Sequence, residues 1–295
     1  MGSTTSSRLS LQVISEKDLN YDDMTKAPPT TMQIVKEANA PDGAFTTNAL
    51  PWPQYILDAW YTPALAPLMV ASPRGKVLLL ATDIQCLKSN PSPESKEFLD
   101  LASRVQENFP LSASHDANEP FQCFVRLSMC STKRGAHAYP AHNGTDVVQQ
   151  IVDSQRCVQS LSCPVEHTIW LFEWNQACDI TREFRVFIQK GKIVALAPYY
   201  CAVPLEWLTP KNATQVGLAI LEWYEHNLKD YLLNYFQDAV MDVLYTDQKA
   251  IQLIEFNPIV TSGGGLFSWV HDKDLLNGVD VGASAVMRIV EPWCG

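Results

Sequence analysis

The stretch AVMDVLYTDQKAIQLIEFNP, residues 239–258, decides how the chain folds and where its chemistry lies. Two short runs rich in apolar residues, Ala239–Tyr245 and Ala250–Phe256, flank a polar turn, which predicts an antiparallel hairpin. With Gln248 and Lys249 at the turn centre, Asp242 stands opposite Glu255. Directly opposed residues hold their Cβ atoms roughly 4.5–5.5 Å apart, and like charges there repel. Asn257 lies two residues beyond Glu255 and projects from the same face. Asp242, Glu255 and Asn257 therefore form a candidate oxygen-donor site for Mg2+, a hard cation that usually keeps phosphate oxygens among its ligands. That points to a nucleotide. The plainer reading is a pair of solvated acids on an exposed face, or a register slipped by one. Val240, Val243, Leu244, Ile251, Leu253, Ile254 and Phe256 weigh against it, because they make the strands apolar on both faces. The like-charge pair further predicts that Asp242→Asn or Glu255→Gln abolishes Mg-ATP binding while leaving the fold intact or slightly stabilised.

Working outward, His167–Glu173 and Phe184–Pro198 read as strands, the second hinged at Lys190-Gly191. Beyond Pro210, Val216, Ile220, Tyr224, Leu228, Leu232 and Phe236 make one apolar stripe on one long helix. Lys76–Leu80, after a Pro73-Arg74-Gly75 turn, reads as a short buried strand. Ser92-Pro93-Glu94 opens a helix that carries Phe98, Ala102, Val105 and Phe109, and Thr145 opens another running through Val158. Helices interspersed with antiparallel hairpins predict an α+β fold. Residues 1–48 read as an irregular arm, 49–165 as a small α+β lobe, and 166–295 as a second lobe that contains the hairpin.

Composition bounds the function. Of 295 residues, 46% are hydrophobic and only 18% charged, which excludes disorder for most of the chain. A net charge of −10 opposes duplex nucleic-acid binding, which needs an electropositive face. No apolar run is long enough to cross a membrane, and MGSTTSSRLSLQV has no apolar signal core, so a cytoplasmic protein is expected. Eight cysteines without a CxxC pair read as reduced, mostly core-packed thiols.

Met241–Tyr245 with Leu253–Pro258 is similar to the closing motif of the D123 (cell division cycle protein 123) family. Phe124-Val125-Arg126-Leu127-Ser128 with Ser131-Thr132-Lys133 resembles that family's strand and nucleotide loop. Glu183-Phe184-Arg185-Val186-Phe187 resembles its E-F-R-x-F strand, and Gly265–Trp269 its terminal L-L-F-x-W. The resemblance spans roughly residues 120–275. It implies an ATP-grasp fold, two α+β lobes enclosing a nucleotide cleft, with ATP and Mg2+ as ligands. It also implies roles. Arg126 and Lys133 neutralise phosphates, with Ser128 and Glu183 in the nucleotide-binding set. Leu171, Phe172, Glu173 and Trp174 form the hinge strand against adenine. Arg185 binds the nucleotide and acts as the catalytic cation on the γ-phosphate or the reacting carboxyl group. Asp242, Glu255 and Asn257 hold Mg2+. The alternative for Arg185 is a simple pairing with Glu183 on one strand face. The polar loop Arg134–Gly144, with His137 and His142, could serve as a lid.

Two departures imply a diverged paralogue rather than the housekeeping member. Arg134 stands where the family has an acid, and Ser262-Gly263-Gly264-Gly265 replaces an acidic stretch. The expected activity is ATP-dependent carboxylate ligation through an acylphosphate, acting on a small carboxylate or amine. The alternative, also implied by the resemblance, is an ATP-binding assembly chaperone for the gamma subunit of translation initiation factor 2. Neither reading involves nucleic acid or membrane.

Overall fold

The computed structural model describes residues 8–19, 53–109, 121–132, 139–201, 203–259, 262–279 and 284–291. In chain order, the first elements are β1 (Leu9–Ser15), α1 (Leu57–Trp60), β2 (Pro73–Leu78), α2 (Ala81–Lys88), α3 (Lys96–Glu107) and β3 (Cys123–Leu127). There follow α4 (Gly144–Asp153), α5 (Gln155–Ser160), β4 (Thr168–Glu173), β5 (Glu183–Gln189) and β6 (Lys192–Pro198). The last are α6 (Pro210–Asn227), α7 (Lys229–Leu232), β7 (Ala239–Tyr245), β8 (Ile251–Asn257), α8 (Lys273–Leu276) and β9 (Ala285–Glu291). They divide into two compact units, residues 55–176 and residues 1–54 with 177–295.

The boundary expected after residue 165 therefore moves to Gln176. The reason is pairing: β4 lies between β2 and β3 in an antiparallel three-stranded sheet and so belongs with residues 55–176. One face of that sheet, with Val77, Val125, Leu127, Ile169 and Leu171, packs on the apolar sides of the helices. On α3, Phe98, Leu101, Ala102 and Val105 recur at helical spacing and are all buried. The α3 cap is Ser95, whose Oγ accepts from the Phe98 N–H at 3.3 Å, so the helix begins one turn later than Ser92-Pro93 suggested. The helix expected from Thr145 through Val158 is two helices. Asn143 caps the first, accepting from the Asp146 N–H at 2.8 Å, and extended backbone at Ser154 separates it from α5.

Residues 1–48 are not irregular throughout. The alternation in Leu9-Ser10-Leu11-Gln12-Val13 suits a strand, and β1 runs parallel to β9 at one edge of a six-stranded sheet, ordered β1-β9-β6-β5-β7-β8. Lys190 and Gly191 turn β5 into β6 with φ of 50° and 70°, the positive values a two-residue hairpin turn requires. The stripe Val216–Phe236 is buried along its length, yet the helix stops at Asn227 and resumes as the single turn α7. Leu266, Phe267, Trp269 and Leu276 cluster with Phe187, Ala195, Ala197 and Val240 of the sheet. The Phe187 ring lies 5.7 Å from Phe267 and 5.8 Å from Trp269, edge to face. Among the described residues, no helix is long and apolar enough to cross a membrane.

Candidate functional site

Four adjacent strands place one residue each in a row across the large sheet. Ala197 of β6 stands opposite Arg185 of β5, Arg185 opposite Asp242 of β7, and Asp242 opposite Glu255 of β8. Asp242 is completely buried. Arg185 Nε donates to its Oδ1 at 3.0 Å and Nη2 to its Oδ2 at 2.9 Å, a bidentate pair. Nη1 donates to the Gly263 carbonyl at 3.3 Å, and the guanidinium lies 4.7 Å from the centre of the Tyr199 ring. Burial alone would favour losing the arginine's proton, but the charge and hydrogen bonds of Asp242 outweigh it and push the Arg185 pKa upward.

This geometry corrects one expectation. Asp242 is not chiefly repelled by Glu255; it is the counter-ion of a buried arginine, so removing its charge destabilises the fold rather than relaxing it. It also decides between two pairings for Arg185, because the bidentate bond goes to Asp242. Glu183 is buried at the start of β5, opposite Leu244, with its carbonyl accepting from the Tyr199 N–H at 2.7 Å.

The predicted facing of Asp242 and Glu255 holds, through a device that the turn alone does not supply. Near the turn, Tyr245 pairs with Ile251 and Val243 with Leu253; then a bulge intervenes before the Asp242–Glu255 pair. Ile254 is the extra residue, and burial changes phase across it, from Ile251 and Leu253 to Phe256. Without the bulge Glu255 would share the face of Leu253. With it, Glu255 and Asn257 take the other face, half-buried. Asn257 Nδ2 donates to Asp242 Oδ2 at 3.0 Å.

These residues fit a divalent cation in a restricted way. A carboxylate offers about four lone-pair sites. The bonds from Arg185 and Asn257 use three of those on Asp242. Glu255 and the carbonyl oxygen of Asn257, whose amide nitrogen is turned to Asp242, are then the better donors. Among the described residues no three His, Cys, Asp or Glu side chains make a cage. The set suits an ion that takes its remaining ligands from phosphate and water, as Mg2+ does.

The Ser262–Gly265 segment has a local explanation. A Cβ on Gly264 would lie 2.0 Å from the Phe267 carbonyl oxygen, and Gly265 has φ +59°. The Phe267 N–H donates to the Gly264 carbonyl at 3.0 Å, closing the turn that aims Phe267 and Trp269 at the sheet.

In residues 55–176, the predicted nucleotide residues are placed differently from one another. Arg126 is buried and pairs in the ladder with Trp170. Ser128 is occupied internally: its hydroxyl donates to Asp58 at 2.7 Å and accepts from the Thr168 N–H at 2.9 Å, which removes it from the ligand-facing set. Leu171 is completely buried in the core, whereas Phe172 is the tilted partner of Trp170, with centroids 6.5 Å apart. Glu173 accepts from Arg74 Nη2 at 2.6 Å, and the Trp174 N–H donates to the Gln122 carbonyl at 2.9 Å. Lys133, Arg134 and His137 lie outside the described residues; His142 is exposed, and its backbone N–H donates to Asp146 Oδ2 at 2.9 Å. Sequence reading missed Asp58. Its carboxylate accepts from Ser128 and from Trp170 Nε1 at 3.0 Å, with Lys76 Nζ at 3.8 Å.

Comparison with known proteins gives a family and a fold. The D123 family profile matches residues 142–291. Cdc123 from Schizosaccharomyces pombe superposes with a TM-score of 0.59 at 15% identity, covering 82% of this chain and 97% of that one. Its C-terminally truncated form gives 0.59 at 14% identity, covering 84% and 98%. A RimK domain ATP-grasp protein from Sphaerobacter thermophilus reaches 0.35 at 10% identity, covering 91% and 83%. No curated protein sequence matches significantly. The likeness to Cdc123 is one of fold, and the chain has the mixed α+β architecture expected.

Proposed function

The chain belongs to the D123 family, and from that premise we propose that it binds Mg-ATP on the Arg185–Asp242–Glu255–Asn257 face and uses it to activate a carboxylate for ligation. The observation that carries this reading is the row itself. A fully buried carboxylate fixes a guanidinium beside a second carboxylate and a carboxamide, which sets a cation for phosphate next to oxygen donors for a metal. Glu255 and Asn257 would hold Mg2+; when bound, the ion supplies neutralisation of phosphate charge. Three of the five Arg185 N–H donors go to Asp242 and Gly263, which leaves the guanidinium oriented, with donors still to offer a phosphoryl oxygen. In the proposed reaction a substrate carboxylate attacks the γ-phosphorus of ATP, giving an acylphosphate and ADP, and an amine then displaces phosphate. Arg185 stabilises charge on the transferring group. In residues 55–176 the resemblance assigns nucleotide contacts to Arg126, Phe172, Glu173 and Trp174, each testable by substitution. We place the protein in the cytoplasm, where free thiols are the resting state.

A second reading, an ATP-binding assembly factor acting on a translation factor subunit, is favoured by one feature. The glycines of Ser262–Gly265 serve a turn, so they supply no argument for a small-substrate pocket. A thermal-shift titration with ATP, ADP and AMP, with and without Mg2+, followed by ADP release against amino and carboxylic acids, separates the two. Magnesium-dependent stabilisation with substrate-stimulated ADP release supports the ligase. Stabilisation without turnover supports the assembly factor, and no shift with any nucleotide overturns both.

A further inference from the structure

We propose that Cys130 and Cys157 form a modification site, a reversible disulfide made by hydroperoxide that ties the turn after β3 to α5. The two Sγ atoms lie 3.6 Å apart, and both residues are buried, Cys130 at 7% exposure and Cys157 at 0%. A disulfide bond is about 2.05 Å long, so closure needs a movement of roughly 1.5 Å. Both sides can supply it. Cys130 closes a tight turn, its N–H donating to the Leu127 carbonyl at 3.2 Å and its carbonyl accepting from the Leu127 N–H at 2.8 Å. Cys157 sits on the six-residue α5, which the extended backbone at Ser154 uncouples from α4. Polar groups already converge there. Cys157 Sγ is 3.4 Å from the Ser131 carbonyl, and Cys130 Sγ is 3.6 Å from Ser160 Oγ.

The chemistry balances with a hydroperoxide as the oxidant. The Cys130 thiolate attacks the terminal peroxide oxygen, breaking the O–O bond to give a sulfenic acid and water or an alcohol. The Cys157 sulfur attacks the sulfenic sulfur and loses its proton, and water leaves with formation of the S–S bond. Two thiols are oxidised and one peroxide is reduced by two electrons. The roles of the two sulfurs follow from their surroundings. The hydrogen bond with Cys157 lowers the Cys130 pKa against the opposing effect of burial, with further help from Ser160, Arg156 and Arg126. The same hydrogen bond, with burial, raises that of Cys157. Cys130, the one of the two with any solvent exposure, is thus the attacking thiolate and Cys157, fully buried, the resolving thiol. Among the described residues, the competing thiols are the exposed Cys178 and the half-buried Cys163.

The test uses the full chain, titrated with hydrogen peroxide, alkylated and digested with trypsin. Cys130 falls in the peptide Leu127–Lys133; Cys157, Cys163 and Cys178 share Cys157–Arg182, so fragment ions must place the link. The expected result is a loss of about 2 Da, a cross-link between these peptides at Cys157, and reversal by dithiothreitol. Cys157→Ser should lose the cross-link and leave a Cys130 sulfenic acid that dimedone traps, while Cys178→Ser should change nothing. Should Cys157→Ser fail to fold, the wild-type map decides alone. Recovery of Cys130 as an alkylated thiol at peroxide levels that oxidise Cys178, or a link to Cys163 or Cys178, would overturn the proposal.

Discussion

Replacing Asp242 by Asn should destabilise residues 177–295 by about 3–5 kcal/mol, the cost of breaking a buried ion pair from one side. The figure follows from the site. Asp242 has no solvent exposure and the Arg185 side chain only 15%, so water cannot take over the lost charge. The amide keeps one acceptor oxygen, whereas Arg185 Nε, Arg185 Nη2 and Asn257 Nδ2 now address two. At least one charge-assisted bond is lost, about 1.5–3 kcal/mol, and an amide nitrogen faces donors. Relief of repulsion with Glu255 returns no more than about 1 kcal/mol. Urea unfolding gives the global change, and hydrogen exchange of the β5 amides reports it locally, where 3 kcal/mol corresponds to acceleration by more than about a hundredfold. Glu255→Gln should stay within about 1 kcal/mol of wild type. The double variant Arg185→Gln/Asp242→Asn should recover part of the loss, since no buried charge is left unpaired. If Asp242→Asn unfolds within about 1 kcal/mol of wild type, or matches Glu255→Gln, the anchoring role of Asp242 is wrong.

The remaining predictions test other parts of the molecule. His167 is buried with Nε2 3.0 Å from the Cys163 carbonyl, and burial lowers its pKa below 6.5 despite that bond, so the unfolded chain binds its proton first. Its contribution to stability is complete above pH 6.5 and declines as pH falls toward the folded pKa; His167→Gln should flatten that decline in a pH series of urea midpoints. Gly264→Ala should cost about 2 kcal/mol or more, because its Cβ meets backbone 2.0 Å away, and Gly265→Ala only about 1 kcal/mol of left-handed strain; equal melting temperatures would contradict the turn geometry. Ser128→Ala should cost about 1–3 kcal/mol through Asp58 and Thr168 and leave Mg-ATP affinity unchanged, and calorimetry showing the reverse would restore Ser128 to the nucleotide set.

Most strands and helices were legible because their signals are local. The α3 positions Phe98, Ala102 and Val105 are a periodicity within a dozen residues, and the Lys190-Gly191 turn is a dipeptide. The misses needed partners distant in sequence. β1 shows a readable alternation, but the residue that makes it a strand is Ala285 onward, more than 270 positions away. The unit boundary failed for the same reason, since β4 takes its membership from β2 and β3 rather than from any composition change near residue 165. The break at Ser154 carries no Gly or Pro to announce it.

The site divides along the same line. A residue in an inner strand has two ladder neighbours, and the turn reveals only one. For Asp242 the turn identified Glu255, and from that neighbour alone a like-charge repulsion follows. The second neighbour, Arg185, comes from a strand over fifty residues earlier and reverses the sign of the electrostatics. Glu255 differs because β8 ends the strand order of the sheet among the described residues, where its ladder neighbour is Asp242. An arginine already compensates Asp242 within the sheet. The carboxylate at the edge, re-aimed by the Ile254 bulge, is therefore where an added cation gains most, and metal affinity should depend more steeply on Glu255 than on the retained charge of Asp242.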